Sequence, residues 1–222
     1  MLKFILKRNN LRGDIMKIFN LLKTKFVYLA LFVSVFSVFS SKTAYAYPSY
    51  TFNGLKLNGG VGNYGNNSRY YFITPSASQY ASHINTAIND WVHTTSSVGV
   101  TTPISIKKTS TQKSSVFDFH TEYIGGVYAR AAHMLYQNEI NLDNTPVSSW
   151  TNWGWNKIIF DSNNFNKLSS TNKTGTTAHE IGHALGLAHR ENNTRSIMCS
   201  LKNGRTVSKC TAVDLNTINQ LY

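Results

Sequence analysis

The spacing of apolar residues divides this chain into a short series of elements. Tyr80, Ile84, Ile88 and Trp91 recur at helical intervals and make one apolar stripe, with Pro75 and Ser76 as a start signal, so a helix is predicted from there to about His93. His83 and His93 on it read as surface residues. Arg69 to Thr74, RYYFIT, has the β-branched and aromatic make-up of a strand. Ile104 to Lys108, Ser115 to Tyr123 and Ile140 to Leu142 are further expected strands, although the glycines and alanines of 125–132 blur the register. Lys157 to Asp161 is the clearest late strand, after an aromatic loop with Trp150, Trp153 and Trp155. Those tryptophans read as core or loop packing, with an aromatic substrate wall as the alternative. A second helix is expected from Thr174 or Gly175, after a polar linker Ser169 to Lys173, burying Ala178, Ile181 and Leu185. Thr211 and Asp214 form a capping pattern for a last helix with Val213, Ile218 and Leu221 on one face. No internal repeat is visible.

The N-terminus changes how the charge is read. Residues 26–41 are an uncharged apolar run behind Lys17, Lys23 and Lys25, and they lead to an Ala-x-Ala site ending at Ala46. Residues 1–46 therefore read as a secretory signal peptide cut after Ala46, too short in its apolar run for a stable membrane anchor. Translation can start at Met1 or Met16. The chain carries a formal +12, but the leader holds eight Lys or Arg and one acid, which leaves 14 basic and 9 acidic residues, or +5, on 47–222. Without a basic helix or an aromatic-basic repeat, that excess argues against nucleic acid as a partner. Residues 47–67, rich in Gly, Asn and Tyr, read as an irregular N-terminal arm, and 68–222 as one domain.

The chemistry is concentrated in residues 179–189, HEIGHALGLAH. His179 and His183, four apart, lie on one face of a helix and can bind one ion. Glu180 stands beside the first histidine, where a general base for hydrolysis belongs, without being a ligand. Gly186 allows a tight turn that swings His189 back as a third ligand. Three histidines and an open position make a catalytic zinc site; a structural one is closed by four protein ligands. Cys199 and Cys210, in a chain read as exported, are expected to form a disulfide, two free thiols being the alternative.

The pattern HExxHxxGxxH resembles the metzincin signature, and Ser196-Ile197-Met198 looks like the methionine turn of that clan. The order of elements resembles the catalytic domain of matrixins, the matrix-metalloproteinase-like branch, over roughly 68–222. The resemblance implies an α+β fold: a twisted, mostly parallel sheet with an edge strand over the cleft, an active-site helix and a C-terminal helix. It implies Met198 packed beneath the ligands, and a substrate extended along that edge, for which Glu139 to Asn141 is a candidate. It further implies that Arg190 to Arg195 and Lys202 to Lys209 shape the pocket that selects substrate side chains.

Arg190 departs from the serine that matrixins usually place after the third histidine, and Ser200 stands where astacin-like members carry a tyrosine ligand. Between Ala46 and the first strand there is no cysteine to cap the zinc. Asp118, His120 and His133 resemble the second, structural metal site of animal matrixins only loosely, and ordinary strand residues are the expectation. Calcium held by Asp and backbone carbonyls is a further expectation, with no EF-hand-like loop behind it. The function expected is a secreted, monomeric zinc endopeptidase that cleaves protein or peptide substrates by a metal-activated water, with Glu180 as general base. The alternatives are a zinc-fold binding protein without turnover, and a metal hydrolase acting on cell-wall peptides.

Overall fold

The α+β architecture rests on a six-stranded sheet. The computed structural model describes residues 49–135, 138–140 and 151–222. The strands are β1 (Arg69–Ile73), β2 (Ile106–Lys108), β3 (Phe117–Glu122), β4 (Ala129–Leu135), β5 (Asn138–Ile140) and β6 (Trp155–Asp161), in the order β2-β1-β3-β6-β4-β5. The first four of that order pair in parallel, while β4 runs antiparallel to both β6 and β5. The helices are α1 (Ala81–Val92), the short α2 (Thr94–Val98), α3 (Ser170–Ala184) and α4 (Ala212–Leu221). The signal peptide and its site after Ala46, together with Asn141, Leu142 and Trp150, lie outside the described residues.

Alternation on the strands builds the core. Phe117 and Phe119 on β3, and Ile158 and Phe160 on β6, are fully buried on one face of the pleat. They meet the apolar stripe of α1, where Tyr80, Ile84, Ile88 and Trp91 are all buried as the periodicity predicts. Tyr80, Phe160 and Phe165 form a cluster with ring centroids 4.4–5.4 Å apart. Before α1 the chain makes a 3₁₀ segment, Pro75–Tyr80, so the predicted helix begins as a tighter turn.

Two features differ from expectation. The helix carrying the histidines starts at Ser170, one turn earlier than the polar composition of 169–173 suggests. Ser169 caps it by accepting from the Asn172 N–H at 3.2 Å, and the polar first turn points outward. The cysteines are the second correction. Both are free, and the expected disulfide is not formed. Cys199 donates toward the carbonyls of Ser200 and Asn203 at 3.6 and 3.8 Å, whereas Cys210 donates to the Asp90 carbonyl on α1 at 2.7 Å. The two thiols thus face different elements.

The arm at 49–67 is irregular, as its glycines imply, yet it is fastened down. Leu57 and Val61 are buried, Leu57 bridges to Trp153, and Thr51 bridges to Leu187. Lys56 Nζ donates to the Leu221 carbonyl at 2.7 Å, and the Leu57 N–H donates to Tyr222 Oη at 2.9 Å.

Asp161 holds the other side of the fold together. This fully buried carboxylate accepts from the backbone N–H groups of Ile124, Gly125, Asn163 and Asn164 at 2.7–3.0 Å, tying the β3–β4 connection to the end of β6. Burial alone would raise its pKa, but these four donors together outweigh burial, and the carboxyl lies below its ordinary value. Asp161→Ala is expected to lower Tm by about 5–10 °C at pH 7, checked by circular dichroism. Because the folded-state pKa is depressed, that contribution is present above the ordinary carboxylate range and is lost as pH falls through the lower folded value. The gap between wild type and variant should therefore close on acidification.

Candidate metal centre

The helix α3 is buried along its whole second half, from Gly175 to Ala184, so the motif residues sit inside the molecule. Its backbone is held at the C-terminal end, where carbonyls have no partner within the helix. Trp153 Nε1 and Asn156 Nδ2 both donate to the Ala184 carbonyl, and Tyr222 Oη donates to that of Leu185. Trp153 is therefore core and cap at once. On the other side, Trp91 Nε1 donates to the Ala178 carbonyl at 2.9 Å and locks α1 to α3.

Gly186 then turns the chain. Its φ is 105°, and a Cβ there would lie 2.8 Å from the Leu55 carbonyl oxygen and 2.7 Å from Leu221 Cδ2, so both backbone conformation and close approach require glycine. The turn is fastened to the arm by Phe52 N–H donating to the Gly186 carbonyl and Ala188 N–H donating to that of Tyr50.

These constraints bring His179, His183 and His189 together. Their Nε2 atoms are 3.1, 3.1 and 3.2 Å apart. The outer nitrogens settle the tautomers: Nδ1 of His179 faces the Ile197 carbonyl and Nδ1 of His183 the Leu187 carbonyl, each at 2.8 Å. A carbonyl cannot donate, so each Nδ1 carries the proton and each Nε2 presents a lone pair. Glu191 Oε1 lies 3.8 Å from His189 Nδ1 and favours the same tautomer there. Burial, then the neighbouring histidines, holds His179 well below its ordinary pKa; burial and His189 lower His183 to about 3. Both are neutral, the form that binds a metal. Nitrogens on zinc at about 2.0–2.1 Å in tetrahedral array stand about 3.3 Å apart, so this donor set fits a zinc ion.

Met198 lies beneath the pair of helical histidines. A Cβ on Gly182 would collide with its sulfur and would approach Trp91 Cζ2 to 3.2 Å, so the missing side chain is the space that Met198 and α1 fill. The methionine turn is fixed from below by Asp214, whose carboxylate accepts from the Ser196 hydroxyl, the Ile197 N–H at 3.1 Å and the Thr211 N–H at 2.9 Å. The capping residue read in the sequence thus has a second task. Through Ile197, whose carbonyl accepts from His179, the first turn of α4 orients a ligand.

The histidines open onto a cleft of about 820 Å³ that also exposes Glu180, Phe52, Thr176, Lys202 and Arg205. Phe52 of the arm lies 5.7 Å from the His183 ring, a contact that the composition of the arm gave no means of predicting. Among the described residues, the cleft is bordered by Ala129, Arg130 and Ala131 of β4. The strand β5 pairs, among the described residues, with His133 to Leu135 of β4.

Of the loops expected to shape the pocket, Lys202 and Arg205 reach the cleft. Arg190 instead stacks on the Tyr50 ring at 3.9 Å and donates to Thr217. Burial would raise the Glu191 carboxyl, but hydrogen bonds from the Ser200 hydroxyl and N–H hold it down to about 2. Asp118 accepts from Gln112 and Ser115. His120 lies 3.9 Å from Glu122. Among the described residues, the group able to hold a metal is the three histidines.

The family model described as Matrixin matches residues 73–222. No curated protein matches the chain. Among solved structures, myroilysin aligns at 18% identity and a TM-score of 0.32, over 56% of this chain and 50% of its own. This chain therefore spans half the length of that relative, and at such a score the likeness carries no argument.

The link from Asp214 to His179 has a measurable consequence. Asp214→Ala should weaken zinc binding about tenfold in a competition titration with a chromophoric chelator, because the carbonyl that orients His179 loses its anchor. Unchanged affinity in the folded variant would remove Asp214 from the metal centre.

Proposed function

The chain belongs to the matrixin family, and from that premise we propose that it is a zinc-dependent endopeptidase working outside the cell. The observation that supports this most is the convergence of three Nε2 lone pairs, 3.1–3.2 Å apart, in an open cleft that also exposes Glu180. Zinc bound by His179, His183 and His189 would supply Lewis acidity, polarising the scissile carbonyl and acidifying a water. Glu180, buried at 6% exposure on the same helix, takes the proton from that water and delivers it to the leaving nitrogen. Met198 supports the ligands by packing against Gly182 without binding the metal.

The substrate lies extended along the cleft, beside Ala129 to Ala131 of β4, which border it. Backbone pairing reads no side chains, so selection falls to the pockets. Residues 1–46 serve as the export signal, which the apolar run and the Ala-x-Ala site support.

Glu180→Ala is expected to keep its zinc while casein or peptide hydrolysis falls by about 10²–10⁴-fold. Metal analysis beside the hydrolytic rate checks this. Full activity with zinc retained would show that Glu180 is not the base.

A further inference from the structure

Arg205 is placed in the cleft in a way that the metal centre does not explain. It comes from the loop after the methionine turn, yet it is only 8% exposed. One guanidinium nitrogen, Nη2, donates to Thr176 Oγ1 at 3.2 Å, and its Nε is buried with no hydrogen-bond partner. Gly175 makes the space for it: a Cβ there would stand 3.2 Å from Nη2 and 3.0 Å from Ser208 Cα. A guanidinium this buried, with its Nε unpaired, is costly unless a further acceptor completes it.

The direction of the site follows from the helix. Thr176 is one turn before Glu180 on the same face of α3. Glu180 hands its proton to the leaving nitrogen, so the residue that begins with that nitrogen lies on the Glu180 side of the metal. Its side chain then extends toward Thr176 and Arg205. Among the described residues, the cleft lining carries three cationic side chains, Arg130, Lys202 and Arg205, against one carboxylate, Glu180.

Resting on the endopeptidase reading above, we propose that Arg205 is a specificity-determining residue that receives an acidic side chain, Glu or Asp, on the substrate residue just after the cleaved bond. Its planar fork binds a carboxylate through paired N–H donors, and Lys202 at the exposed rim adds attraction during entry. Burial lowers the pKa of Arg205 and the nearby Glu180 opposes that, so the guanidinium responds to carboxylates around it.

The test uses the full zinc-loaded protein and quenched fluorescent peptides identical except for Glu, Gln or Leu after the scissile bond. Glu should be cleaved with about tenfold higher kcat/KM than its isostere Gln. Arg205→Met should abolish that preference while still cleaving the Leu peptide, and Arg205→Lys should restore part of it. Gln or Leu preferred over Glu by wild type would overturn the assignment without recourse to any variant.

A second readout separates this proposal from the endopeptidase reading itself. Peptides beginning with Glu or Gln, representing the released product, are titrated into wild type by fluorescence anisotropy. Tighter binding of the Glu peptide supports the Arg205 pocket even if no peptide is cleaved, an outcome that would sink the protease reading alone. Equal binding of the two would overturn the pocket even if cleavage is robust.

Discussion

Three imidazoles with their Nε2 atoms aimed at one point repel one another, and no arrangement of the histidines alone would hold them there. The structure meets this constraint by engaging the far side of each ring. Carbonyls of Ile197 and Leu187 accept from Nδ1 of His179 and His183, and the Glu191 carboxylate lies beside that of His189. Each of these partners is fixed in turn by another part of the chain. A cation placed between the nitrogens relieves the repulsion, so metal binding and local stability are coupled.

The surrounding elements can be understood as ways of fixing those partners. The final helix positions Ile197 through Asp214, and its last residue caps α3 through Tyr222. The arm pairs with the turn after Gly186 and so holds Leu187 in reach of His183. The sheet contributes Trp153 and Asn156 to the end of the same helix. Segments from both ends of the described chain therefore meet at one turn, and it tolerates no side chain at Gly186. Few alternatives exist where an added Cβ would meet neighbours on two sides at 2.7–2.8 Å.

Much of this was legible in the sequence, for identifiable reasons. The histidine spacing, Glu180 and Gly186 carry their geometry in their sequence separation, because all lie within one helix and one turn. The strands at Arg69, Phe117 and Lys157 and the stripe of α1 follow from periodicity, and the Thr211–Asp214 cap from a local motif. What stayed hidden depends on long-range approach. Phe52 reaches His183 across 131 positions of the chain. The disulfide expected from Cys199 and Cys210 failed for the same reason: spacing cannot tell which element each thiol faces. Arg205 looked like one of several loop cations until Gly175 and Thr176 gave it a buried seat.

The central claim is that one zinc ion completes the three-histidine site. Zinc K-edge absorption of the purified protein, with metal quantified per chain, tests it most directly. The account predicts one zinc per chain, bound by three imidazole nitrogens at about 2.0–2.1 Å with a light-atom ligand in the remaining position. A spectrum dominated by sulfur, or a chain that takes up no zinc with His179, His183 and His189 intact, would contradict it.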